Sequence, residues 1–303
     1  MVSVIPTPAP TRRLGASGVE VPAIGVGTNR WTIGGPTEPA LEDTYKTIVA
    51  GGAAFLDTAE VYGFGKSEQA IGRCIEGLTG PANGPPVVVS KFAPFVARTS
   101  SRQLLMALDR SLARLKLQQL DLYLVHWPFP FADFGAFAAG LAEAVKRGKA
   151  KAVGVSNFNA SQMRQMADLL GKQGVPLAAN EVHYSLLHRR PEAGGVLAAC
   201  RELDVALVAY FPLASGRLAR PPEAGRPDPI AALRSIAAEI AQDHQATTAE
   251  VALNWLLARD ACVIPIPGAT KAAHAQANLK ALTWSLSEAE FARLDKAAPI
   301  AGS

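Results

Sequence analysis

The chain has 303 residues, of which 49% are hydrophobic and 18% are charged, a composition that predicts a globular protein with a large core and excludes a disordered chain. Its net charge is +4, but Lys and Arg are spread along the chain without a basic cluster, so we expect no nucleic-acid partner. No apolar run reaches the roughly 18 residues of a membrane span, so we expect no membrane partner.

The N-terminal segment, residues 1–11, is rich in Pro and Thr and lacks the apolar region of a signal peptide. We expect this segment to be flexible and the protein to be cytoplasmic. The next residues, 12–25, predict a short β-hairpin that turns at Ser17-Gly18 and closes the bottom of the domain that follows.

Short, nearly continuous apolar runs recur along the rest of the chain, each followed by a helix-like stretch. The predicted strands are residues 23–28, 53–58, 87–92, 120–127, 152–158, 177–184, 205–213 and 261–266. Such runs are typical of parallel strands that are covered on both faces. Among the helical stretches, residues 101–116 carry leucines at helical spacing, with Ser100 or Ser101 as the predicted N-cap.

The alternation of strand and helix continues without a linker, so we predict one domain over residues 1–303. Eight such units indicate an α/β fold, a (β/α)8 TIM barrel with a short N-terminal β-hairpin. The alternative is an open sheet of the Rossmann type. Against that alternative, the first strand continues into GVGTNRWTIGG, which lacks the GxGxxG spacing of a dinucleotide-binding turn.

Polar residues stand where five of the predicted strands end. They are Asp57, Lys91, His126, Ser156 with Asn157, and Glu181. All strands of a parallel barrel end at the same face, so we expect these side chains to meet at one mouth, joined by Tyr62 from the loop after Asp57.

This group of side chains suits the reduction of a carbonyl, which needs a hydride at carbon and a proton at oxygen. Tyr62 is the predicted proton donor, and a neighbouring Lys91 ammonium is expected to lower the pKa of its phenol. Asp57 would hold that ammonium in place. His126, as a neutral imidazole, would hydrogen-bond the substrate oxygen.

Five motifs that follow in order resemble the aldo-keto reductase superfamily over nearly the whole chain. They are FLDTAEVYGFGKSEQAIGR (55–73), SLARLKLQQLDLYLVHWP (111–128), AVGVSNF (152–158), NEVHYSLLHR (180–189) and VIPIPGATK (263–271). The stretch ANEVHYSLLHRRPE (179–192) is most similar to the bacterial and chloroplast group, which is assigned pyridoxal or general aldehyde reduction. The resemblance implies NAD(P)H-dependent reduction of an aldehyde or ketone to an alcohol. It also implies that Asp57, Tyr62, Lys91 and His126 form the catalytic set, with Tyr62 as general acid.

By the same resemblance, an extended nicotinamide cofactor lies across the barrel mouth. Ser156, Asn157 and Glu181 are implied to bind its carboxamide, and Tyr210 to stack on its ring. The other residues implied in cofactor binding are Gly27, Thr28, Asn29, Asp57, Phe211, Leu213, Ser215, Gly216, Gly268, Thr270, Lys271, His274 and Asn278.

Three positions depart from the usual pattern of the family. Glu181 replaces a glutamine and can donate a hydrogen bond only when it is protonated, which predicts either weaker cofactor binding or a neutral Glu181. Phe211 replaces a serine and removes one hydroxyl. At the adenosine 2'-phosphate only Lys271 is suited as a partner, so we expect NADPH to be preferred, with NADH also possible. The alternative is that Lys271 is a solvated charge at the start of a helix.

Aromatic residues near the predicted mouth favour an apolar or aromatic aldehyde or ketone as substrate. The residues expected to contact it are Trp31, Phe92, His126, Trp127 and Phe129. We expect a monomer or a weak oligomer.

Two other functions stay open from the sequence. The chain also resembles the potassium-channel β subunits of the superfamily, which would make it a non-catalytic, nicotinamide-binding regulatory subunit. A lysine at a strand end also suits imine chemistry, which would make Lys91 the nucleophile of a Schiff-base lyase.

Several residues are assigned no part in the chemistry. Ser67 and Glu68 are predicted to start a helix, because the spacing of a phosphate-binding P-loop is missing around them. No metal site is predicted, because the histidines lack ligand spacing; they are His183, His188, His244 and His274. Reduced thiols are predicted for Cys74, Cys200 and Cys262.

Overall fold

The computed structural model describes residues 9–77, 85–95, 98–129, 133–220 and 227–298. Two short strands, β1 (Thr11–Arg13) and β2 (Glu20–Pro22), pair in antiparallel fashion and form the predicted hairpin. Gly18 takes a φ of +71° in its turn, a conformation that favours glycine. Parallel strands follow: β3 (Val26–Gly27), β4 (Phe55–Asp57), β5 (Val87–Phe92), β6 (Leu120–Val125), β7 (Ala150–Ser156), β8 (Leu177–His183), β9 (Ala206–Tyr210) and β10 (Val263–Pro265).

Each parallel strand from β3 to β10 pairs with the next one in chain order. The first and last strands also meet, because Gly25 N donates to Pro265 O at 3.0 Å and Gly27 N donates to Pro267 O at 3.2 Å. A parallel bridge between Gly27 and Gly268 continues this contact. The sheet therefore curls into the predicted (β/α)8 barrel, and the Rossmann-type alternative is wrong.

Helices surround the barrel. They are α1 (Leu41–Ala50), α2 (Lys66–Gly77), α3 (Ser101–Leu115), α4 (Phe134–Lys146), α5 (Ala160–Gly171), α6 (Arg190–Ala193), α7 (Val196–Glu202), α8 (Ala231–Asp243), α9 (Thr248–Arg259), α10 (Ala272–Lys280) and α11 (Glu288–Ala297). The predicted start of α3 is confirmed: the Ser100 hydroxyl accepts from Gln103 N, and the Gln103 side chain accepts from Ser100 N. Ser67 and Glu68 lie in the first turn of α2, also as predicted.

Apolar side chains fill the inside of the barrel, and the hairpin closes its bottom. Leu14 and Val21 of the hairpin segment are buried in one cluster with strand residues such as Phe55, Leu122 and Ile264. The predicted position of the hairpin is thereby confirmed. A second cluster lies between the strands and the outer helices.

The ends of the chain and its thiols complete the description of the fold. Of the segment expected to be flexible, residues 1–8 lie outside the described residues. That expectation does not hold for residues 9–11, because Ala9 is buried and Thr11 begins β1.

The cysteines are free thiols, as predicted; Cys74 and Cys200 are buried, and Cys262 is partly exposed. Within the described ranges, no helix is long and apolar enough to cross a membrane.

Arg12 fastens the hairpin to the connection between α9 and β10. Its guanidinium donates to the backbone oxygens of Leu257 at 2.5 Å, Asp260 at 2.7 Å and Val263. We expect Arg12→Met to lower the free energy of unfolding by about 2–4 kcal/mol, because several charge-assisted hydrogen bonds disappear. Urea denaturation measures this loss.

Arg13→Met is the matched control for the Arg12 variant. Arg13 is exposed, and its one ion pair with the residues that the structure describes is with the exposed carboxylate of Asp204, at 3.4 Å. An exposed ion pair contributes little to stability, so this variant should unfold at nearly the wild-type urea concentration. Equal losses in the two variants would contradict the assignment.

Candidate functional site

The polar side chains at the strand ends meet at one mouth of the barrel, as the sequence predicts. Asp57 is the last residue of β4, Lys91 is the next-to-last residue of β5, and His126 directly follows β6. Tyr62 begins a short 3-10 turn that leads from β4 to α2. The structure therefore brings together four side chains that are far apart in the chain, from Asp57 to His126.

The Lys91 ammonium lies in the interior of this group and is fully buried. It donates to Asp57 Oδ1 at 2.6 Å, to Asp57 Oδ2 at 2.8 Å and to Thr58 O at 3.0 Å. Burial alone would lower the pKa of Lys91, but the charges of Asp57 and Glu181 outweigh it and raise that pKa above its usual range. Lys91 is therefore a cation at neutral pH.

Tyr62 lies beside this cation, with its ring centroid 5.2 Å from Lys91 Nζ. Burial raises the pKa of Tyr62, Lys91 lowers it, and Asp57 and Glu181 raise it again, so the net shift is upward. Lys91 lowers the pKa of Tyr62 as predicted, but burial and the two carboxylates outweigh this single ammonium in the resting site. Tyr62 is a protonated phenol at neutral pH.

His126 adds a neutral imidazole next to the phenol. Its ring centroid lies 5.8 Å from that of Tyr62 and 4.4 Å from that of Trp127. Burial and the charge of Lys91 lower the pKa of His126 to about 3. Its buried Nδ1 has no hydrogen-bond partner among the described residues. These values agree with the predicted neutral state of the ring.

Glu181 of β8 reaches the same group of charges. Its carboxyl is nearly fully buried, and Oε2 lies 3.2 Å from Lys91 Nζ without accepting a hydrogen bond from any described residue. Burial and the charge of Asp57 raise the pKa of Glu181 well above its usual range, and Lys91 opposes them. Its backbone oxygen accepts from Asn157 N at 2.8 Å and from Ser156 Oγ at 2.9 Å. These two hydrogen bonds hold the end of β7 against β8 at Glu181.

A chain of hydrogen bonds joins the ends of β7 and β9 next to His126. Tyr210 Oη donates to Asn157 Oδ1 at 2.9 Å, while Asn157 Nδ2 donates to Ser156 Oγ and to His126 O, both at 3.0 Å. Asn157 is held at a φ of +63°, a strained backbone that recurs at functional sites. The mouth therefore presents polar groups beside a partly exposed aromatic ring.

Other residues implied in cofactor binding surround the ends of β9 and β10. Phe211 and Ser215 take φ values of +50° and +57°, and Phe211 is 52% exposed. Gly268 lies against Gly27 at the closure of the barrel, and Asn278 Nδ2 donates to Gly268 O at 3.5 Å. The remaining residues that are partly or fully exposed near these ends are Asn29, Leu213, Gly216, Thr270, Lys271 and His274.

Thr28 differs from the other residues implied in cofactor binding. Its side chain is fully buried, and its hydroxyl donates to Asp57 O at 2.7 Å. The Ser67 hydroxyl lies 3.0 Å from it. Its side chain thus joins β3 to β4 and α2, and a contact with the cofactor stays a prediction.

Trp31 and Phe92, which the sequence predicts as substrate contacts, are fully buried in the outer core and are not exposed at the mouth in this structure. Trp31 Nε1 donates to Ala269 O at 2.6 Å, and the ring of Phe92 packs on that of Phe137 of α4. Trp127 remains at the mouth beside His126 and is partly exposed, as is Phe129.

The sequence interpretation missed Phe95, which is 47% exposed and packs edge-on against Trp127 at 5.7 Å. Trp127 Nε1 donates to Pro94 O at 3.1 Å, which fixes the indole against this loop. The aromatic wall of the mouth therefore comes from the segments after β5 and β6. The signal in the sequence was an aromatic residue shortly after the end of β5, the strand that carries Lys91.

A buried polar network beneath Tyr62 was also missed. Glu68 accepts from Ser90 Oγ and from Arg114 Nε, both at 2.6 Å, and is fully buried. Ser67 Oγ accepts from Thr58 Oγ1 at 2.9 Å. These contacts join the start of α2 to β5 and α3, so they hold the turn that carries Tyr62.

Removal of the buried cation should cost far more stability than removal of an exposed one. We expect Lys91→Met to lower the free energy of unfolding by about 3–5 kcal/mol, because Asp57 is left as an unpaired buried carboxylate. The double variant Asp57→Asn/Lys91→Met should recover part of this loss. Lys46→Met, which breaks an exposed pair with Glu42, should change stability little and is the control.

Urea denaturation at pH 7 measures all of these variants. A double variant as unstable as the sum of the two single variants would show that Asp57 and Lys91 do not depend on each other.

Several known proteins are similar to this chain in sequence and in fold. The model of the aldo/keto reductase family matches residues 23–299. Methylglyoxal reductase YeaE of Escherichia coli is 35% identical over 288 residues, which cover 93% of this chain and 92% of that protein. The chloroplastic pyridoxal reductase of Arabidopsis thaliana is 32% identical over 282 residues, which cover 85% of this chain and 76% of that protein.

Solved structures agree with this assignment. A thermostable aldo-keto reductase in complex with the inhibitor epalrestat has a TM-score of 0.81 and 33% identity, over 95% of this chain and 99% of that one. An aldo/keto reductase from Klebsiella pneumoniae in complex with NADP and acetate has a TM-score of 0.78 and 30% identity, over 96% of both chains. The chain therefore belongs to the aldo/keto reductase family of oxidoreductases.

Proposed function

We propose that this protein reduces an aldehyde or ketone to the alcohol with NADPH, and that Tyr62 is the proton donor. The observation that carries the proposal is the position of the Tyr62 ring, 5.2 Å from a buried ammonium and 5.8 Å from a neutral imidazole. A phenol beside one cation and one neutral hydrogen-bonding ring suits proton transfer to a carbonyl oxygen.

The residues at the ends of β7 and β9 fit a nicotinamide. Ser156 and Asn157 offer hydroxyl and amide groups to a carboxamide, and the partly exposed ring of Tyr210 offers a stacking face. When bound, NADPH supplies the hydride for the carbonyl carbon. The Klebsiella pneumoniae relative was solved with NADP, which supports this choice of cofactor.

Tyr62 gives its proton to the substrate oxygen as negative charge develops there. An alkoxide is a stronger base than a phenolate, so the transfer is favourable even though burial raises the pKa of this phenol. Lys91 then stabilises the phenolate that remains, and Asp57 keeps Lys91 in position. In the reverse reaction the same phenolate is the general base.

His126 binds the substrate oxygen as a neutral donor. Its depressed pKa keeps the imidazole uncharged at neutral pH, so it does not compete with Tyr62 as a source of protons. A hydrogen bond from this ring to the substrate oxygen strengthens as charge grows on that oxygen, and this lowers the barrier.

The aromatic wall formed by Phe95 and Trp127 supports an apolar or aromatic carbonyl substrate. Relatives named pyridoxal reductase and methylglyoxal reductase support an aldehyde. We therefore assign aldehydes with a planar or small apolar substituent as the substrate class.

NADPH is assigned in preference to NADH because of Lys271. This exposed residue precedes α10, and its side chain forms neither a hydrogen bond nor an ion pair with the residues described in the structure. A 2'-phosphate placed here would gain both the ammonium and the amide groups at the start of the helix.

Replacement of the Tyr62 hydroxyl tests the mechanism. We expect Tyr62→Phe to lower kcat for aldehyde reduction by about 100- to 10,000-fold, because the general acid is lost. The Kd for NADPH should stay close to that of the wild type, since the hydroxyl acts in the transition state. Tyr45→Phe, which removes a buried tyrosine hydroxyl from α1, is the control. Full activity in Tyr62→Phe would rule out this proton donor.

Cofactor choice is tested at Lys271. We expect Lys271→Met to raise the Kd for NADPH about tenfold, the loss of one charge-assisted hydrogen bond, without changing the Kd for NADH. Quenching of tryptophan fluorescence measures both constants. Lys280→Met, at the other end of α10, should change neither. If the Kd values for NADPH and NADH rose equally, Lys271 would attract both cofactors through its charge and would not recognise the 2'-phosphate.

A further inference from the structure

The hydrogen-bond geometry of Lys91 leaves Glu181 without a donor. An ammonium has three hydrogens, and the three acceptors in hydrogen-bond geometry with Lys91 Nζ among the described residues are Asp57 Oδ1, Asp57 Oδ2 and Thr58 O. Glu181 Oε2 lies 3.2 Å from Lys91 Nζ, yet this buried oxygen accepts no hydrogen bond from the described residues. A buried carboxylate in this position would lack the hydrogen bonds that an ionised oxygen requires.

The count of charges leads to the same result. Two carboxyl groups surround one ammonium, and the three side chains are between 0% and 3% exposed. If both carboxyls were ionised, the group would carry a net negative charge out of contact with water, which is costly. Asp57 accepts two hydrogen bonds from the ammonium, so Asp57 is the ionised partner and Glu181 is the group that retains a proton.

We propose that Glu181 is a neutral carboxylic acid at neutral pH and shares its proton with the Asp57 carboxylate, so that the buried group carries no net charge. A neutral carboxylic acid offers one donor and one acceptor, as the side-chain amide of glutamine does. Glu181 is thus a positioning residue, which acts on Tyr62 through Asp57 and Lys91. The effect on Tyr62 rests on the proposed function, whereas the protonation state of Glu181 does not.

The titratable groups around Glu181, among the residues that the structure describes, all take part in this balance of charge. These groups are Asp57 from β4, Tyr62 from the turn after β4, Lys91 from β5, and Tyr210 from β9. Asp57 raises the pKa of Glu181 through its charge and as a hydrogen-bond partner, and Lys91 acts in the opposite direction. An ionised Glu181 would in turn raise the pKa of Tyr62, which makes the phenol a weaker acid. Loss of the Glu181 proton at alkaline pH should therefore weaken catalysis.

Infrared difference spectroscopy tests the protonation state directly, in the full-length protein without substrate. At pH 7 the spectrum of the wild type minus that of Glu181→Gln should contain the C=O stretching band of a protonated carboxylic acid. Glu250→Gln is the matched control, since Glu250 is a buried glutamate of α9 that accepts from Thr247 N and Trp284 Nε1 rather than from Lys91. The Glu250 variant should keep the band. A wild-type spectrum without the band, or one in which Glu181→Gln leaves the band, would overturn the proposal.

Unfolding gives a second test, with a defined sign. Native Glu181 keeps its proton at a pH where a glutamate in the unfolded chain, with a pKa near 4.3, has lost it. Unfolding then releases a proton, so the stabilising effect of this group is full at low pH and is lost as pH rises. Relative to Glu181→Gln, the unfolding constant of the wild type should rise about tenfold per pH unit above pH 5, until native Glu181 ionises. A difference that does not change with pH would contradict the proposal.

Steady-state kinetics connect the proton to the reaction. In the wild type, kcat should fall as Glu181 ionises at alkaline pH, and in Glu181→Gln this fall should move to higher pH. An unchanged profile would disprove the coupling to Tyr62. The infrared and unfolding measurements use no substrate, so a protein that reduces no carbonyl but keeps the carboxylic acid band would disprove the proposed function alone.

Discussion

Lys91 places an ammonium group inside the barrel, where an unpaired charge would be costly relative to the small net stability of a fold. Its three hydrogens and its charge therefore determine what can surround it. Asp57 supplies both carboxylate oxygens and Thr58 supplies a backbone oxygen, so the hydrogens are satisfied by residues of one strand end. Tyr62 and Glu181 lie beside the same ammonium, and its charge lowers the pKa of each of them.

The barrel makes this arrangement possible because parallel strands end at one face. Asp57, Lys91 and Glu181 belong to β4, β5 and β8, and His126 directly follows β6. Each of these four strands pairs with a neighbouring strand on both sides. Tyr62 alone comes from a turn, and a buried network of Glu68 and Arg114 fixes the helix that follows that turn. A rigid sheet therefore positions the charges, while a turn held by buried hydrogen bonds positions Tyr62, the proposed proton donor.

The sequence predicted the strands, the barrel and the convergence of the polar side chains, because these follow from apolar periodicity and from the shared direction of parallel strands. It misplaced Phe92, although the alternation of side chains along a strand contains the answer: Lys91 points inward, so its neighbour points to the outer helices. Trp31 was misplaced because its partner, the carbonyl of Ala269, is 238 residues away. The net pKa shift of Tyr62 was also out of reach, since burial cannot be read from residue spacing.

The upward shift of the Tyr62 pKa suits a proton donor. A phenol with a strongly lowered pKa would be partly ionised at rest, and a phenolate has no proton to give. In the proposed mechanism, burial keeps Tyr62 protonated until a stronger base, the alkoxide, forms beside it. Lys91 would then have to stabilise the phenolate, which requires that its own charge is not fully neutralised. One ionised carboxylate, that of Asp57, holds the ammonium of Lys91 in place. A second ionised carboxylate would offset the effect of Lys91 on the pKa of Tyr62. The protonation state of Glu181 would therefore decide how strongly Lys91 stabilises the phenolate in the proposed reaction.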